Sequence, residues 1–212
     1  MKIAILGASG WIGSHIVNEA KARGHSVIAL VRDTNKIDND GVEVRQFDLL
    51  DTNANLATAT EGVDAVISAI GGRAIGNHEI VKNTALKLLQ ELPQAGIERL
   101  LWVGGAGSLE VAPGVELISV SEFPEEYKPE SIAMGEALAV FRQTDSALNW
   151  TFISPAAEIF PGEKEQNYRI GKDELLMDEE GKCRISVSDY AVAMIDELEN
   201  SVYPKQRIGV AY

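Results

Sequence analysis

The stretch that decides the fold is Met1-Lys-Ile-Ala-Ile-Leu-Gly7-Ala-Ser-Gly10-Trp-Ile-Gly13. An apolar run leads directly into three glycines, and Trp11–Arg23 then follows a helical pattern. In a strand–turn–helix context each glycine has a physical task. Gly7 allows the tight turn off the strand, Gly10 lets the backbone approach a pyrophosphate, and Gly13 lets the helix pack close to the sheet. The free N–H groups and the dipole of the helix start then favour a phosphate.

Short apolar runs and amphipathic stretches continue to alternate along the chain. The predicted strands are Lys2–Leu6, Ser26–Val31, Val42–Phe47, Ala65–Ala69, Arg99–Val103 and Asn149–Ile153. The predicted helices between them are Trp11–Arg23, Ala54–Thr60, Asn77–Gln94 and Pro129–Asp145. Strands that are continuous apolar runs, separated by helices, indicate an α/β fold. We therefore predict a Rossmann-type doubly wound parallel sheet that is covered on both faces.

Beyond Ser154 the pattern becomes less regular. We expect a loop at Pro155–Gln166, short strands at Tyr168–Gly171, Leu175–Met177 and Cys183–Val187, a helix at Ser188–Asn200, and a last strand near Ile208–Val210. No repeat or linker interrupts the chain, so the sequence predicts a single domain over residues 1–212 with an elaborated C-terminal third. The dinucleotide-binding core is expected at about 1–154 and the substrate-side elements at about 155–212.

Composition excludes several classes of protein. Of 212 residues, 45% are hydrophobic and 24% are charged, which is typical of a globular chain. The net charge of −13 disfavours a nucleic-acid partner. The lone Cys183 allows no internal disulfide, and His15, His25 and His78 share no metal-ligand spacing. We expect no metal, no membrane association, a cytoplasmic location, a small-molecule substrate, and a monomer or homodimer.

The glycine motif and its surroundings resemble the extended and atypical short-chain dehydrogenase/reductases. The closest resemblance is to small bacterial NAD(P)H-binding proteins of the NADH-flavin reductase type, which are related to biliverdin-IXβ reductase and NmrA-like proteins. The stretches that carry it are Gly7–Gly13, Val31–Asp33, Asp48-Leu49, Ser68–Gly71, Val103–Ser108 and Ser154-Pro155. They extend over nearly the whole chain.

The resemblance implies a set of cofactor-binding residues at the carboxyl ends of the strands. These are Gly7, Ala8, Ser9, Gly10, Trp11, Ile12, Gly13, Arg32, Asp48, Leu49, Ala69, Ile70, Gly71 and Gly104. It places Asp48 against the adenine amino group, and a capping role for this carboxylate is the alternative. Trp11 shields the pyrophosphate or covers the core.

Cofactor choice depends on the end of the second strand. An acidic residue there favours NAD, whereas an arginine accommodates the 2′-phosphate of NADP. The chain has Arg32 followed by Asp33. The cation comes first, so we predict that NADP(H) is favoured and NAD(H) can be accepted. An exposed Arg32 with no ligand is the alternative.

The usual catalytic pair of the resembling family, Tyr-x-x-x-Lys, is missing from its expected helix. Tyr127 is followed four residues later by Ser131. Tyr168 and Lys172 match the spacing, but they come after the sixth strand, and we interpret them as a chance match. A flavin needs hydride at a ring nitrogen and takes its proton from water, so a site without the pair suits planar acceptors such as flavins and quinones.

The substrate pocket is expected beside the loops that follow the fifth and sixth strands. Its predicted residues are Ser108, Pro155 and Phe160. Ser108 is the candidate for a polar catalytic contact, with a loop-stabilising hydroxyl as the alternative, and Phe160 either stacks on a planar ring or joins the core. Flavin is expected as a substrate. Two further functions stay open: a non-catalytic NADP sensor of the NmrA-like type, and an epimerase or dehydratase.

Overall fold

The computed structural model describes residues 1–37, 41–73 and 76–212. Within these residues the strands are β1 Lys2–Leu6, β2 Ser26–Val31, β3 Val42–Gln46, β4 Ala65–Ser68, β5 Arg99–Val103, β6 Glu110–Ala112, β7 Val115–Glu116, β8 Asn149–Ser154, β9 Glu158–Phe160, β10 Arg169–Gly171, β11 Arg184–Ser186 and β12 Gln206–Ala211. The helices are α1 Trp11–Ala22, α2 Leu56–Ala59, α3 Glu79–Gln94, α4 Lys128–Gln143 and α5 Val187–Asn200.

Eight of the strands form one sheet in the order β10-β12-β8-β5-β4-β1-β2-β3. All neighbours are parallel except the edge pair β10 and β12. The chain runs outward from β1 to β3 and then crosses back to β4 on the other side of β1. This reversal opens a crevice at the carboxyl ends of β1 and β4, where sheets of this kind bind ligands. The predicted Rossmann-type fold is confirmed.

Both faces of the sheet are covered by helices. Helices α1 and α5 pack on one face, where Ile3, Ile5 and Tyr190 are fully buried. Helices α3 and α4 pack on the other, around Trp102 and Phe141, whose rings meet edge to face at 5.2 Å. The strands are apolar on both sides because they face a helix layer on both sides.

A buried ion pair joins α5 to the middle of the sheet. Arg99 Nη2 lies 2.7 Å from Glu197 Oε1, and Arg99 Nη1 lies 2.8 Å from the Thr151 hydroxyl. Glu197 also accepts the N–H groups of Val202 and Tyr203. Removing one partner from such a buried pair costs about 3–5 kcal/mol, because the other charge is left uncompensated.

The central strands and the long helices lie where the sequence predicts them, and the differences concentrate in the irregular segments. Helix α2 covers Leu56–Ala59, which is shorter than the predicted Ala54–Thr60. The Gly- and Pro-rich stretch after β5 contains the hairpin β6–β7. The expected loop Pro155–Gln166 contains β9, which pairs in parallel with β11. The expected strand Leu175–Met177 is irregular, with a bridge at Glu174 instead.

The C-terminal third builds part of the core as well as loops. Strand β12 is inserted between β8 and β10, and α5 packs against α1. None of the helices in the described ranges has the length and apolar character that a membrane crossing requires. The same ranges contain no cluster of His, Cys, Asp and Glu arranged for a metal ion.

Candidate dinucleotide-binding site

The turn between β1 and α1 is packed too tightly for side chains at two of its glycines. Gly7 has a φ of +77°, and a Cβ added to it would lie 2.5 Å from the Ala69 carbonyl oxygen. A Cβ on Gly13 would lie 2.1 Å from the Gly7 carbonyl oxygen. A Cβ on Gly10 would meet that oxygen at 3.2 Å. Gly7 and Gly13 are therefore required by packing, whereas Gly10 is free to serve a close approach from outside.

The first turn of α1 presents unpartnered backbone groups. Its N-cap is Gly10, which offers no side-chain cap, and the first turn contains no acidic residue. Orphan N–H groups at a helix start, together with the helix dipole, form a ready site for an anion. The geometry of this turn fits the pyrophosphate of a dinucleotide.

A cavity of about 330 Å³ opens beside this turn at the carboxyl ends of β1, β2, β3 and β4. We call it the adenosine-side cavity. Its lining residues are Leu6, Gly7, Ser9, Gly10, Leu30, Val31, Arg32, Phe47, Asp48, Leu49, Ala69, Ile70, Gly71, Arg73 and Ile80. Nine of the predicted cofactor residues are among them. The cavity combines an apolar slot with two arginines, as an adenine ring and phosphates would require.

Arg32 and Asp33 have different surroundings. Arg32 lines the adenosine-side cavity. The Asp33 carboxylate instead caps a short 3-10 helix by accepting the N–H of Asn35 at 3.1 Å. Asp48 accepts the N–H of Leu50 at 3.0 Å, which is the capping alternative, and it also lines the cavity, so its contact with adenine stays a prediction. Arg32 and Asp33 follow β2, and of the two it is Arg32 that lines the cavity.

A second cavity of about 210 Å³, the nicotinamide-side cavity, lies toward β5 and α4. Its lining residues are Ile12, Ala69, Ile70, Gly71, Val103, Gly104, Gly105, Glu130, Ser131 and Met134. Residues 69–71 line both cavities. The two cavities together cross the carboxyl ends of β1, β4 and β5, which is the path that a dinucleotide takes in this kind of sheet.

Hydrogen bonds join the segment after β4 to Glu130 at the start of α4. The Gly72 N–H donates to both carboxylate oxygens of Glu130 at 3.1 Å, and His78 Nδ1 lies 2.8 Å from Glu130 Oε2. The Arg73 guanidinium lies 4.4 Å from the centre of the Tyr127 ring. These contacts hold the loop that forms the shared wall of the cavities.

The sequence did not indicate Arg73, Glu130 and Met134, which line the two cavities. Neither their residue types nor their spacing distinguishes them from other residues that follow β4 and β5. Their roles depend on where the β4–α3 loop meets α4, which is a tertiary contact.

Ser108 lies in a third cavity, of about 410 Å³, between the β6–β7 hairpin and α4. Ser131 lines both this cavity and the nicotinamide-side cavity, so they adjoin. The Ser108 carbonyl accepts a bond from Arg207 Nη2 at 3.1 Å. The structure places Ser108 next to the nicotinamide-side cavity rather than in it.

Pro155 and Phe160, which the sequence assigns to the substrate pocket, lie outside the three cavities described above. Pro155 is buried. The Phe160 ring packs edge to face on Tyr212 at 6.3 Å, because β9 turns the segment back toward β11. Phe160 takes the packing alternative through its contact with Tyr212, and the contact of Pro155 and Phe160 with a substrate stays a prediction.

Three predicted cofactor residues of the glycine turn, Ala8, Trp11 and Gly13, line neither the adenosine-side nor the nicotinamide-side cavity. Ala8 and Gly13 are buried, while Trp11 is 46% exposed and stands edge to face with His15 at 6.3 Å. Trp11 therefore does not cover the core. Its position on the first turn leaves the shielding role as a prediction.

Tyr168 lies at the opposite end of α1. Its hydroxyl donates to Asp196, beside Glu19 and Arg23. Burial and the hydrogen bond to Asp196 raise the pKa of the Tyr168 hydroxyl. A catalytic tyrosine of the Tyr-x-x-x-Lys kind has its pKa lowered by the lysine, so both place and chemistry separate Tyr168 from the site.

The profile of the NAD(P)H-binding family matches residues 7–198, and the chain belongs to this family.

Three relatives match along the whole chain. The uncharacterized protein YwnB of Bacillus subtilis (strain 168) is 40% identical over 213 residues, which cover 99% of this chain and 98% of that protein. A Burkholderia pseudomallei protein provisionally described as exported has a TM-score of 0.90 and 40% identity, with 100% of each chain covered. A Streptococcus pneumoniae TIGR4 protein provisionally named an NADH-flavin reductase has a TM-score of 0.88 and 35% identity, covering 100% of this chain and 99% of that one.

Proposed function

We propose that this protein is an NADPH-preferring oxidoreductase that reduces flavins or similar planar acceptors such as quinones. The reduced nicotinamide supplies hydride, and the flavin is a substrate rather than a resident group. The name of the S. pneumoniae neighbour supports this reaction class. The family match supports the nicotinamide cofactor.

The observation that carries the proposal is the make-up of the nicotinamide-side cavity. Among the described residues that line it, no tyrosine or lysine is present. Ser131 takes the place on α4 where the family string has lysine. Tyr127, four residues earlier, is 41% exposed and lies under Arg73. This lining supports an acceptor that needs no proton from a tyrosine, and reduction of a flavin ring at nitrogen needs none from the protein.

The chain's own residues would act by binding and orientation. The N–H groups of the first turn of α1 would hold the pyrophosphate, and Arg32 would contact the 2′-phosphate. The backbone of residues 69–71 and 103–105, which line the nicotinamide-side cavity, would hold the nicotinamide ring. Ser131 and the adjoining cavity that contains Ser108 would receive the acceptor. Positioning of this kind can supply about 7–11 kcal/mol of a barrier in well-aligned systems.

Turnover decides between this proposal and a non-catalytic NADP sensor. NADPH or NADH is mixed with FMN, FAD and a panel of quinones without oxygen, and loss of the reduced nicotinamide absorbance is followed. We expect NADPH oxidation that depends on enzyme and acceptor, with Gly10→Val as the inactive control. NADP(H) binding without turnover on any acceptor would overturn the proposal in favour of the sensor. Activity on a sugar nucleotide would favour the epimerase.

We also place this activity in the cytoplasm, where NADPH is kept reduced and the lone Cys183 stays a free thiol. Cell fractionation with an antibody against the chain tests the location. Recovery outside the cytoplasm would contradict it and would agree with the description of the B. pseudomallei neighbour.

A further inference from the structure

Glu130 occupies a special position in the nicotinamide-side cavity. Among the described residues that line this cavity, Glu130 carries the only charge; the others are apolar, glycine or serine. Its side chain is 20% exposed. A carboxylate in such partly dry surroundings acts on neighbouring charges more strongly than one in open water.

The carboxylate is held at a fixed place. It accepts the Gly72 N–H with both oxygens at 3.1 Å and contacts His78 Nδ1 at 2.8 Å. An ionised carboxylate only accepts, so both partners act as donors. A Cβ added to Gly71 would lie 2.8 Å from Glu130 Oε1. The charge therefore lies directly against the segment that both cavities share.

We propose that the charge of Glu130 raises the affinity of the site for NADP⁺ relative to NADPH. The oxidised nicotinamide ring is positively charged, whereas the reduced ring is neutral, so the carboxylate attracts only the oxidised ring. The inference rests on the proposed function, since it places the nicotinamide ring in this cavity. Attraction between the carboxylate and the ring that has given up hydride would then favour reduction of the acceptor. The role is electrostatic and adds to the fastening of the loop.

A purely structural Glu130 makes a different prediction. If it only fastens the β4–α3 loop to α4, its loss weakens NADPH and NADP⁺ by the same factor. If its charge acts on the ring, the ratio of the two affinities changes. The ratio is therefore the informative quantity, and it needs no turnover.

The experiment compares three variants with the wild type in one buffer. Glu130→Gln keeps the shape and removes the charge, while Glu130→Asp keeps the charge and shortens its reach. Glu136→Gln removes a charge elsewhere on α4, where Glu136 pairs with Lys82 on the surface. Calorimetry and NADPH fluorescence give the dissociation constants of NADP⁺ and NADPH, and thermal melting shows that each variant is folded.

We expect Glu130→Gln to shift the affinity ratio about tenfold away from NADP⁺, which is the size of effect a nearby charge exerts in a partly dry site. Glu130→Asp and Glu136→Gln should leave the ratio within about twofold of the wild type. A ratio unchanged in folded Glu130→Gln, or an equal loss for both forms, would overturn the inference. Failure of the wild type to bind either form would instead overturn the proposed function.

Discussion

At its first turn α1 leaves backbone donors without side-chain caps, whereas at its last turn, about 18 Å away, charged side chains are paired with one another. Gly10 begins the helix with no cap. At the far end Arg23 lies 2.8 Å from Glu19, 2.6 Å from Asp196 and 2.9 Å from Glu199. Both ends are rich in polar groups, but the charged side chains named at the far end are already paired with one another.

This difference teaches how to interpret polar motifs in a sequence. The string Tyr168 to Lys172 has the spacing of a catalytic pair, yet Tyr168 is engaged at the paired end through Asp196. The glycines contain no chemistry of their own, yet they allow the tight turn at the open end. A cluster of polar groups is structural when partners within the chain already satisfy them, and it can bind a ligand when they are left unsatisfied.

The largest effect is expected at the open end. Gly10→Val should weaken NADPH binding by about 100-fold or more, because its side chain would occupy space that the pyrophosphate needs. The fold should survive, since a Cβ on Gly10 meets just one backbone oxygen, at 3.2 Å. Fluorescence titration measures the affinity and thermal melting checks the fold. Gly10→Ala should give a smaller loss. Wild-type affinity in folded Gly10→Val would show that the open end is not the binding end.

At the paired end the corresponding change should affect stability alone. Arg23→Ala leaves Asp196 and Glu199 without their shared cation, and we expect a loss of about 2 kcal/mol in the free energy of unfolding. Lys182→Ala, at the exposed pair with Glu180, should change it by less than about 0.5 kcal/mol. Urea unfolding gives both values. A marked fall in NADPH affinity in Arg23→Ala would show that the two ends are coupled.

Arg32 tests cofactor choice at the open end. Arg32→Ala should weaken NADPH about tenfold through loss of charge-assisted bonds to the 2′-phosphate, with NADH changed less than about twofold. The salt dependence of NADPH binding should flatten as well. Arg73→Ala is the matched comparison, because Arg73 lines the same cavity. Equal weakening of both cofactors in Arg32→Ala would make Arg32 a bystander and point to Asp33 as a ribose ligand.

Acid should lower the free energy of unfolding by protonating Glu19 at the paired end of α1. Burial by itself would raise the pKa of Glu19, but hydrogen bonds from Lys164 and Arg23 bring that pKa below its usual 4.5. A lowered pKa adds stability above the unfolded value, and this stability is lost as the pH falls below 4.5. Glu19→Gln should therefore be less stable than wild type at about pH 7 and approach it at about pH 3. Urea unfolding across this range measures the difference, and a constant gap would contradict the assignment.

The smallest effect on catalysis is expected for Tyr168→Phe. The reduction rate should stay within about twofold, whereas loss of a true general acid costs about 100-fold or more. Stability should fall by about 1 kcal/mol with the hydrogen bond to Asp196. Steady-state rates and urea unfolding measure the two quantities. A large loss of rate with binding intact would move the chemistry to the paired end.

The sequence was most informative where local rules act. Apolar strands and the glycine turn predicted the sheet, the crevice and most of the adenosine-side cavity, because a strand buried on both faces and a turn with a φ of +77° at Gly7 leave few alternatives. Arg32 followed from its place at the end of β2. These features depend on neighbours within a few positions along the chain.

The parts that could not be predicted depend on distant contacts. Glu130 lines the nicotinamide-side cavity because the start of α4 meets the segment after β4, where Glu130 accepts the N–H of Gly72, 58 positions away. Phe160 packs on Tyr212 because β9 pairs with β11, and no local sequence pattern predicts that pairing. Such roles follow from tertiary packing, which residue type and spacing do not encode.

The position of β12 has a consequence for how the protein is made. This strand lies inside the sheet, between β8 and β10, and not at its edge. While the chain is being synthesised, β8 must present an unpaired flank until Gln206–Ala211 has left the ribosome. Nascent or prematurely terminated chains would therefore expose the unpaired edge of the apolar strand β8 to chaperones and proteases. The glycine turn is translated before β12, yet the sheet that supports this turn is completed only when β12 is inserted.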